Sequence, residues 1–368
     1  MILATVSAHG IPSEMTTAVI AITARGARRG RVLTHAMAGL ELYVSSRYAQ
    51  EGGAGSRTFH PTELRALITS LWHDVDGFVL IMATGIVVRM IAPLLHSKES
   101  DPAVVVMDDA GTFAIPLLSG HLGGANRLAR QCGEVTGALP VITTATDANN
   151  LPSFDMLAQE LGMAIDDIGQ VKHLNALLLD HLPIALIDPH GALSKHLLRH
   201  STISHHTTYA GALASGAQGF ILVSNRQEPH PELPGQLLIL RPANLVLGIG
   251  CNRGTPAPEI EAFVTGHLLE QSLSVKSVCT IATITAKGDE VGLVNYAQQL
   301  GVPLRCFTSE QLNRVTCPSP PSPYALAAVG ATGVAEPAAL LASEGGCLLL
   351  GKVKSANVTL AIAQRNGG

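Results

Sequence analysis

The sequence predicts an α/β fold, with two three-layer parallel-sheet domains at the ends and a smaller variable α/β domain between them. Apolar runs of strand length alternate with segments whose apolar residues recur at helical spacing. Two of the strand-like runs lead through glycine-rich turns, at 119–126 and 248–255, into helices. The 368 residues suffice for two or three domains of about 100–200 residues each. We expect domains over 1–150, 151–242 and 243–368.

The composition excludes several classes of protein. Hydrophobic residues make up 47% of the chain and charged residues 14%, which is typical of a globular, aliphatic enzyme. The 24 basic and 28 acidic side chains form no basic block, so we expect no nucleic-acid partner. The six cysteines make no C-x-x-C pair, which favours reduced thiols in a cytoplasmic protein. No apolar run approaches the length of about 18 residues that marks a membrane span, so we expect no membrane partner.

The first 100 residues predict an alternation of strands and helices. Strands are expected at 18–23, 42–44 and 78–83, a mobile glycine-rich loop at 50–56 and a helix at 61–72. Four arginines, at 25, 28, 29 and 31, follow the first strand. They indicate either a solvated helix start or a rim that binds carboxylates. The third strand leads into a turn that contains Thr84, Gly85 and Arg89.

A predicted hairpin precedes the first glycine-rich turn. The apolar runs 103–107 and 113–118 have strand length, and the sequence DAGT between them has turn chemistry. The turn SGHLGGAN follows at 119–126, and apolar residues at helical spacing come after it. A helix start offers unpaired N–H groups and a positive dipole end, which suit a carboxylate or an oxyanion. His121 is the side chain in this turn that can transfer a proton near neutral pH.

Three strands of this domain end in small, hydroxyl-bearing or glycine-rich turns. Their ends fall near Ala83, Leu118 and Thr143, and the last is followed by TATD. In a doubly wound sheet such turns gather at the carboxyl edge of the strands, where ligands bind. We therefore predict a site at that shared edge.

The middle of the chain is less regular. Helices at 154–161 and 171–181 and strands at 184–187 and 220–223 are expected, with a polar link at 225–236. Histidines 196, 200, 205 and 206 lie close together in sequence, but they lack a firm metal-ligand spacing and acidic support, so we expect solvent-exposed side chains. This domain is predicted to be a spacer or a recognition cover.

The C-terminal part begins with a strand at 245–247 and the second glycine-rich turn. Gly248, Gly250 and Gly254 nearly fit the dinucleotide pattern G-x-G-x-x-G, but the third glycine is one residue late and no suitable acid follows. Cys251 is either a nucleophile at a helix start or a packing residue. Arg253 is the better candidate for binding a carboxylate, because its planar guanidinium binds in bidentate fashion. Strands and helices alternate through the rest, with a rigid proline-rich loop at 318–323.

Two blocks of sequence resemble a known family. The first comprises GIVVRMIAP, DPAVVVMDDAG, LLSGHLGGAN and PVITTATD, and the second GIGCNRGT, SLSVKSV, IATITAKGDEVGL and NVTLAIA. Together they are similar to the cobalamin-biosynthesis protein G family, the cobalt-precorrin 5A hydrolases of the anaerobic vitamin B12 pathway. Asp109 stands where that family more often has glutamate, and the match is poor over 162–242.

The resemblance implies a reaction and a substrate. The substrate would be a cobalt-corrinoid intermediate with carboxylate arms, and its ring-A lactone would be opened by water with release of acetaldehyde. His121 would be the general base, helped by Asp108 or Asp109, and the N–H groups of residues 123–125 would bind the oxyanion. The simpler interpretations are a histidine that caps its turn and two ordinary hairpin aspartates.

The remaining assignments complete this hypothesis. No cofactor and no resident metal are expected, since the cobalt belongs to the substrate. A homodimer and transient contacts with neighbouring pathway enzymes stay open as further partners. Two other classes also stay open, a corrinoid carrier without chemistry and a nicotinamide oxidoreductase. The predicted substrate-binding residues are Thr84, Gly85, Arg89, Lys98, Ser119, Gly123, Gly124, Asn126, Thr144, Gly250, Cys251, Arg253 and Gly254.

Overall fold

The computed structural model describes residues 15–97, 100–121, 123–149, 151–197, 199–227 and 233–366. The chain divides into two compact units, Met1–Met156 and Leu157–Gly368. The described residues form one seven-stranded sheet in the first unit and two five-stranded sheets in the second. Parallel pairs predominate and helices connect the strands, which confirms the predicted α/β class.

The first sheet has the strand order β3-β2-β1-β4-β5-β6-β7. Strands β1 to β5 are parallel to one another, whereas β6 is antiparallel to β5 and β7 is parallel to β6. The strands are β1 Thr17–Ala21, β2 Leu40–Ser45, β3 Arg57–Phe59, β4 Gly77–Ile81, β5 Ala103–Met107, β6 Phe113–Leu118 and β7 Leu139–Pro140. The helices are α1 Ala24–Ala36, α2 Ala49–Gly52, α3 Leu64–Leu71, α4 Thr84–Ile91, α5 Ala125–Thr136, α6 Ala145–Ala148 and α7 Phe154–Glu160.

Helices cover both faces of this sheet, which makes the three predicted layers. One core cluster packs Leu33 of α1 and Leu128 of α5 against the strands, and the other packs Ile68 of α3 and Val87 of α4 against the opposite face. Strands β1, β4 and β5 are buried along their whole length. Their aliphatic composition suits a sheet that is covered on both sides.

The hairpin of β5 and β6 reverses the chain direction within the sheet. Met107 pairs with Ala114 and Val104 pairs with Leu118, so β6 ends beside the beginning of β5. The turn at 119–126 therefore lies at the amino edge of β4 and β5, whereas Thr84 and Asp108 follow those strands at the carboxyl edge. We predicted that the strands ending near Ala83, Leu118 and Thr143 share one edge of the sheet, and this prediction was wrong. The hairpin was predicted, but not the reversal of chain direction that it causes.

The second unit contains the other two sheets. The middle sheet has the order β10-β9-β11-β12-β8, with only β8 antiparallel to its neighbour. Its strands are β8 Met163–Ile165, β9 Ile184–Ile187, β10 Ile203–His206, β11 Gly219–Val223 and β12 Gln236–Pro242, and its helices are α8 Gly169–Leu179, α9 Ser194–Leu197 and α10 Tyr209–Ala214.

The last sheet has the order β15-β14-β13-β17-β16. Strand β17 is antiparallel to both of its neighbours, β13 and β16. Its strands are β13 Leu245–Cys251, β14 Val278–Ile284, β15 Leu304–Phe307, β16 Cys347–Lys354 and β17 Val358–Gln364. Its helices are α11 Ala257–Glu270, α12 Val291–Leu300, α13 Ser309–Asn313, α14 Pro323–Val329 and α15 Ala335–Ala342. Two core clusters, one on each face, again give three layers.

Gly248 and Gly250 lie inside β13, not in a turn after it. A Cβ atom on Gly248 would lie 1.9 Å from the backbone oxygen of Ala335, so glycine lets α15 approach the strand closely. The glycine-rich turn is therefore shorter than predicted. The first glycine of the near-match to the dinucleotide pattern, Gly248, is required by the packing of α15 against β13. Among the described residues, no helix combines the length and apolarity needed to span a membrane.

Candidate active site

The turn between β6 and α5 is folded tightly on itself. Ser119 has a positive φ of 55° and Gly124 one of 87°. A Cβ atom on Gly123 would lie 2.3 Å from the Cβ of Ser119, so this position requires glycine. The Ser119 hydroxyl donates to the Asp101 carbonyl at 2.9 Å and ties the turn to the start of β5. These constraints fix the backbone on either side of His121.

His121 lies between two carboxylates. Its Nε2 is 3.2 Å from Asp147 Oδ2, and its Nδ1 is 3.7 Å from Asp155 Oδ2. Thr146 Oγ1 lies 3.1 Å from Nε2, and Ser153 Oγ lies 3.4 Å from Nδ1. The histidine side chain retains 23% of its exposure, so solvent reaches it.

Asp147 is the best-supported carboxylate of this cluster. Its Oδ2 accepts hydrogen bonds from Thr144 Oγ1 at 2.7 Å and Asn126 Nδ2 at 2.9 Å, and its Oδ1 pairs with Arg130 Nη2 at 2.5 Å. Burial alone would raise the pKa of Asp147, but the hydrogen bonds from Thr144 and Arg130 and the charges of Arg130 and His121 together lower it. Asp147 is therefore an ionised acceptor for the His121 ring at neutral pH.

Asp155 and Ser153 form the other side of the cluster. Ser153 donates a short hydrogen bond to Asp155 Oδ1, and both residues are buried. They precede and begin α7. The ring thus contacts polar groups from two segments that follow β7.

The backbone donors predicted for an oxyanion are largely engaged by the turn itself. Gly124 N donates to the His121 carbonyl at 2.8 Å, and Ala125 N donates to the Ser119 carbonyl at 3.1 Å. Asn126 N donates to the Gly120 carbonyl at 3.0 Å. The prediction that residues 123–125 present their N–H groups to a ligand was wrong for Gly124 and Ala125, because closing the turn requires these bonds. The exposed side chains of Arg127 and Arg130 provide positive charge on the same helix.

Asp108 and Asp109 lie at the opposite sheet edge and do not contact His121. Asp108 Oδ1 accepts from Phe113 N at 2.7 Å, within its own hairpin. Burial opposes ionisation of Asp108, but the hydrogen bonds from Phe113 and Thr112 lower its pKa. Asp109 accepts a short hydrogen bond from Thr23, which caps α1. The predicted assistance of His121 by these aspartates was wrong, and their contacts are those of hairpin turn residues.

Thr84, Gly85 and Arg89 also lie at the carboxyl edge, in α4. Arg89 Nη1 donates to the Gly85 carbonyl at 2.7 Å, so it bonds within its helix and stays exposed. This edge contains the switch in strand order between β1 and β4, a usual place for ligands in such sheets. Lys98 lies outside the described residues. Ser119, Gly123, Gly124, Asn126 and Thr144, in contrast, are brought together with His121.

The C-terminal turn has its own internal ion pairs. Arg253 Nη1 lies 3.1 Å from Asp289 Oδ1 and 3.7 Å from Glu290 Oε2. Gly254, with φ of 78°, donates its N–H to Glu290 Oε1 at 2.7 Å. Burial raises the pKa of the Cys251 thiol, which favours the packing interpretation over the nucleophile. Gly250 lies within strand β13 and not in the turn.

Sequence reasoning missed several members of the cluster around His121, namely Arg130, Thr146, Asp147, Ser153 and Asp155. Asp147 was visible as the end of the TATD sequence after a strand, but a carboxylate 26 residues from the histidine gives no local pattern. No group of three or more histidine, cysteine, aspartate or glutamate side chains that could hold a metal ion occurs among the described residues.

Comparison with known proteins supports the resemblance inferred from sequence. Three family models match consecutive parts of the chain: Cobalamin synthesis G N-terminal at 66–147, Cobalamin biosynthesis central region at 152–242 and Cobalamin synthesis G C-terminus at 245–363. A Priestia megaterium protein named Cobalt-precorrin-5A hydrolase is 35% identical over 353 residues, 94% of each chain. A Salmonella typhimurium protein of the same name is 37% identical over 291 residues, 78% of this chain and 82% of that one.

A solved structure of a cobalamin biosynthesis protein G homolog from Sulfolobus solfataricus is also similar. It is 23% identical, with a TM-score of 0.36, and the match covers 95% of this chain and 98% of that one. From the family models and the extent of identity to the Priestia megaterium protein, this chain belongs to the cobalamin biosynthesis protein G family.

Proposed function

We propose that the chain is a cobalt-precorrin-5A hydrolase, which opens the ring-A lactone of its corrinoid substrate with water and releases acetaldehyde. The names of the relatives with 35% and 37% identity support the activity. The contact of His121 Nε2 with the ionised Asp147 supports a hydrolytic site, because a histidine oriented by a carboxylate is suited to activating water.

Asp147 determines which ring nitrogen acts as the base. Its Oδ2 accepts hydrogen bonds from Thr144 and Asn126, and we propose that it also accepts one from His121 Nε2–H. The basic lone pair of His121 is then on Nδ1, on the side of Ser153 and Asp155. The contact of Nε2 with Asp147, at 3.2 Å, is shorter than that of Nδ1 with Asp155, at 3.7 Å, so this tautomer gives the better hydrogen bond.

The first step adds water to the lactone carbonyl. Nδ1 of His121 takes a proton from the attacking water, and Asp147 and Asp155 stabilise the positive ring. Collapse of the tetrahedral intermediate breaks the ester C–O bond and gives a carboxylate and a hydroxyl group. Arg127, beside Gly124 and exposed, is the cation that we assign to the developing oxyanion.

The second step removes the two-carbon fragment. Loss of the hydroxyl proton forms the carbonyl of acetaldehyde, the adjacent C–C bond breaks, and the electron pair passes into the conjugated macrocycle, which is then protonated. No net oxidation occurs. The carboxylate arms of the substrate require positive partners, for which Lys98 stays a proposed contact. Arg89 lies at the sheet edge opposite the His121 turn, and Arg253 belongs to the other unit, so neither is assigned to the His121 site.

A direct assay tests this proposal against a carrier role. Purified protein is mixed with cobalt-precorrin 5A in a single turnover, and acetaldehyde is measured by its reduction with alcohol dehydrogenase. Stoichiometric acetaldehyde and a corrinoid that has lost the lactone are expected. Binding of the corrinoid with no acetaldehyde above the protein-free control would reject the hydrolase and favour the carrier. A change in NADH fluorescence on mixing with the protein would favour an oxidoreductase.

A further inference from the structure

A cleft of about 430 Å³ lies in the second unit, whereas the His121 site belongs to the first. The cleft opens at the carboxyl ends of β9 and β11, next to Pro189 and Ser224. From β9 the chain passes to β10 on one side and then to β11 on the other, so the strand order switches between β9 and β11. Ligands of open α/β sheets bind in the crevice at such a switch.

Three amide side chains from separate segments meet at this cleft. Asn225 Nδ2 donates to Asn244 Oδ1 at 3.0 Å and to Gln364 Oε1 at 3.2 Å. Asn225 and Asn244 are buried, with exposed fractions of 8% and 1%. The amides link the end of β11, the connection between β12 and β13, and the end of β17. They give the cleft polar walls that are held in place before a ligand arrives.

A buried arginine fixes the loop that follows β11. Arg241 Nη1 donates to the carbonyls of Ser224, at 3.0 Å, and of Arg226. The same guanidinium pairs with Asp166 at 2.6 Å, so its own charge is neutralised. The Asn225 carbonyl also accepts from Ser274 N at 2.8 Å. The loop is therefore held on both sides before a ligand binds. Binding would then cost less conformational entropy in this loop.

The charged groups that line the cleft are two arginines, and a histidine also lines it. Arg226, Arg365 and His190 line it, and no carboxylate does among the described residues. Arg226 Nη1 donates to the Gln271 carbonyl at 3.0 Å, and Arg365 makes two long bonds of 3.4 Å to the Ala342 carbonyl. Neither arginine has a carboxylate within ion-pair distance in the described part of the chain.

Two carboxylates lie near the cleft, and both have hydrogen-bond partners outside its lining. Asp188, at the end of β9, accepts hydrogen bonds from Ala192, Leu193 and Ser194 in its own loop. Glu344, whose pKa is lowered by a hydrogen bond from Arg305 and by the charge of Arg365, is paired with Arg305 at 2.7 Å. Two guanidinium groups and an imidazole therefore line the cleft, and none of its described lining residues is a carboxylate.

We propose that this cleft binds a small oxyanion group, a carboxylate or a phosphate, with Arg226 and Arg365 as its charged partners. Its volume is that of a small-molecule site. Charged hydrogen bonds from two guanidinium groups supply the affinity. The inference concerns residues other than those of the proposed hydrolytic reaction, and it holds or fails independently of that reaction.

Calorimetric titration of the full chain tests the site with three probes: inorganic phosphate, succinate and uroporphyrin, a tetrapyrrole with eight carboxylates. We compare wild type with R226Q/R365Q and with R314Q, in which an exposed arginine of the same unit loses the same type of charge. Saturable binding that weakens by about 10- to 100-fold per lost charged hydrogen bond in the double variant, but not in R314Q, is expected.

The probe that binds identifies the source of the oxyanion. Binding of phosphate or succinate indicates a free small anion, whereas binding of uroporphyrin alone indicates the carboxylate arms of a tetrapyrrole. Circular dichroism checks folding, and R365Q and H190A alone provide milder variants, each expected to weaken binding. Absence of saturable binding for all three probes, or equal affinity in wild type and the double variant, would overturn the proposal.

Discussion

His121 contacts Asp147 and Asp155 through different ring nitrogens. At the residue scale this arrangement gives each neighbour a distinct role. Asp147 holds the ring proton on Nε2, and Asp155 faces the nitrogen that we assign as the base. Once that nitrogen has accepted a proton, Asp155 stabilises the positive charge of the ring together with Asp147.

The first prediction concerns the base itself. H121Q is expected to lower kcat for acetaldehyde release by about 10²–10⁴, the usual range for loss of a general base, with little change in corrinoid affinity. The measurement is single-turnover acetaldehyde release, with corrinoid binding followed by absorbance. H205Q, at an exposed histidine of β10, is the matched control and should keep wild-type turnover. Near-normal turnover of H121Q would remove the base assignment.

The second prediction concerns Asp147, whose pKa is lowered in the folded chain. A carboxylate with a depressed folded pKa stabilises the protein above its unfolded pKa of about 3.9, and this contribution is lost as the pH falls through the lower folded value. D147N should therefore reduce the free energy of unfolding by about 1–3 kcal/mol at pH 7, as expected for hydrogen bonds to a charged group.

The pH dependence provides the internal check on that prediction. Urea unfolding of both proteins from pH 7 to pH 3 should give a constant difference at the higher pH values, which narrows below about pH 4, near the unfolded pKa. Asp108 and Asp166 also have lowered pKa values, but they are present in both proteins and cancel in the difference. A difference that stays constant down to pH 3 would contradict the assignment.

At the element scale, the hairpin of β5 and β6 separates the predicted site residues into two groups. Strand positions and turn chemistry were predictable from sequence, since both strands are apolar and DAGT lies between them. The consequence of the reversal depends on which strands pair, and pairing is a tertiary property that local patterns do not encode. His121 and Asn126 lie in one turn and both contact Asp147, whereas Asp108 lies at the opposite edge of the sheet.

Strand β13 carries the third prediction. G248A should destabilise the chain by about 1–3 kcal/mol, the usual cost of overpacking, because the new Cβ would lie 1.9 Å from the Ala335 carbonyl oxygen. G266A is the control, since a Cβ on this exposed glycine of α11 would have no neighbouring atom within 4 Å; it should stabilise by about 0.5–1 kcal/mol. Chemical unfolding of both variants measures these changes. Equal stabilities would show that α15 shifts without cost.

At the scale of the whole molecule, the aliphatic composition and the alternation of strands and helices were enough to predict the α/β class. Three-layer packing followed because buried strands such as β4 must be covered on both faces. The antiparallel pairing of β17 with β13 and β16 was not predicted, since the sequence of one strand does not show the direction of its neighbour. The contacts of Asp155 with His121 were missed for the related reason that they join segments distant in sequence.

The fourth prediction concerns cofactors. Lactone opening and loss of acetaldehyde consume water and move protons, with no net redox change, so the protein itself should need no added metal or nicotinamide. Chelator-treated, dialysed protein is expected to retain full activity on cobalt-precorrin 5A, with untreated protein as the control. Restoration of lost activity by zinc, magnesium or NAD(P) would contradict this expectation.

The His121 cluster is built from one short stretch of chain. The turn that begins at Ser119, the aspartate after β7 and the pair that begins α7 all lie between Asp101 and Asp155. Asp147 lies 26 residues and Ser153 lies 32 residues from His121, and the entropy cost of closing a loop rises only slowly with its length. The segments that form the proposed site adjoin β5, β6 and β7, whereas β2 and β3 lie at the other end of the strand order and supply none of its contacts among the described residues.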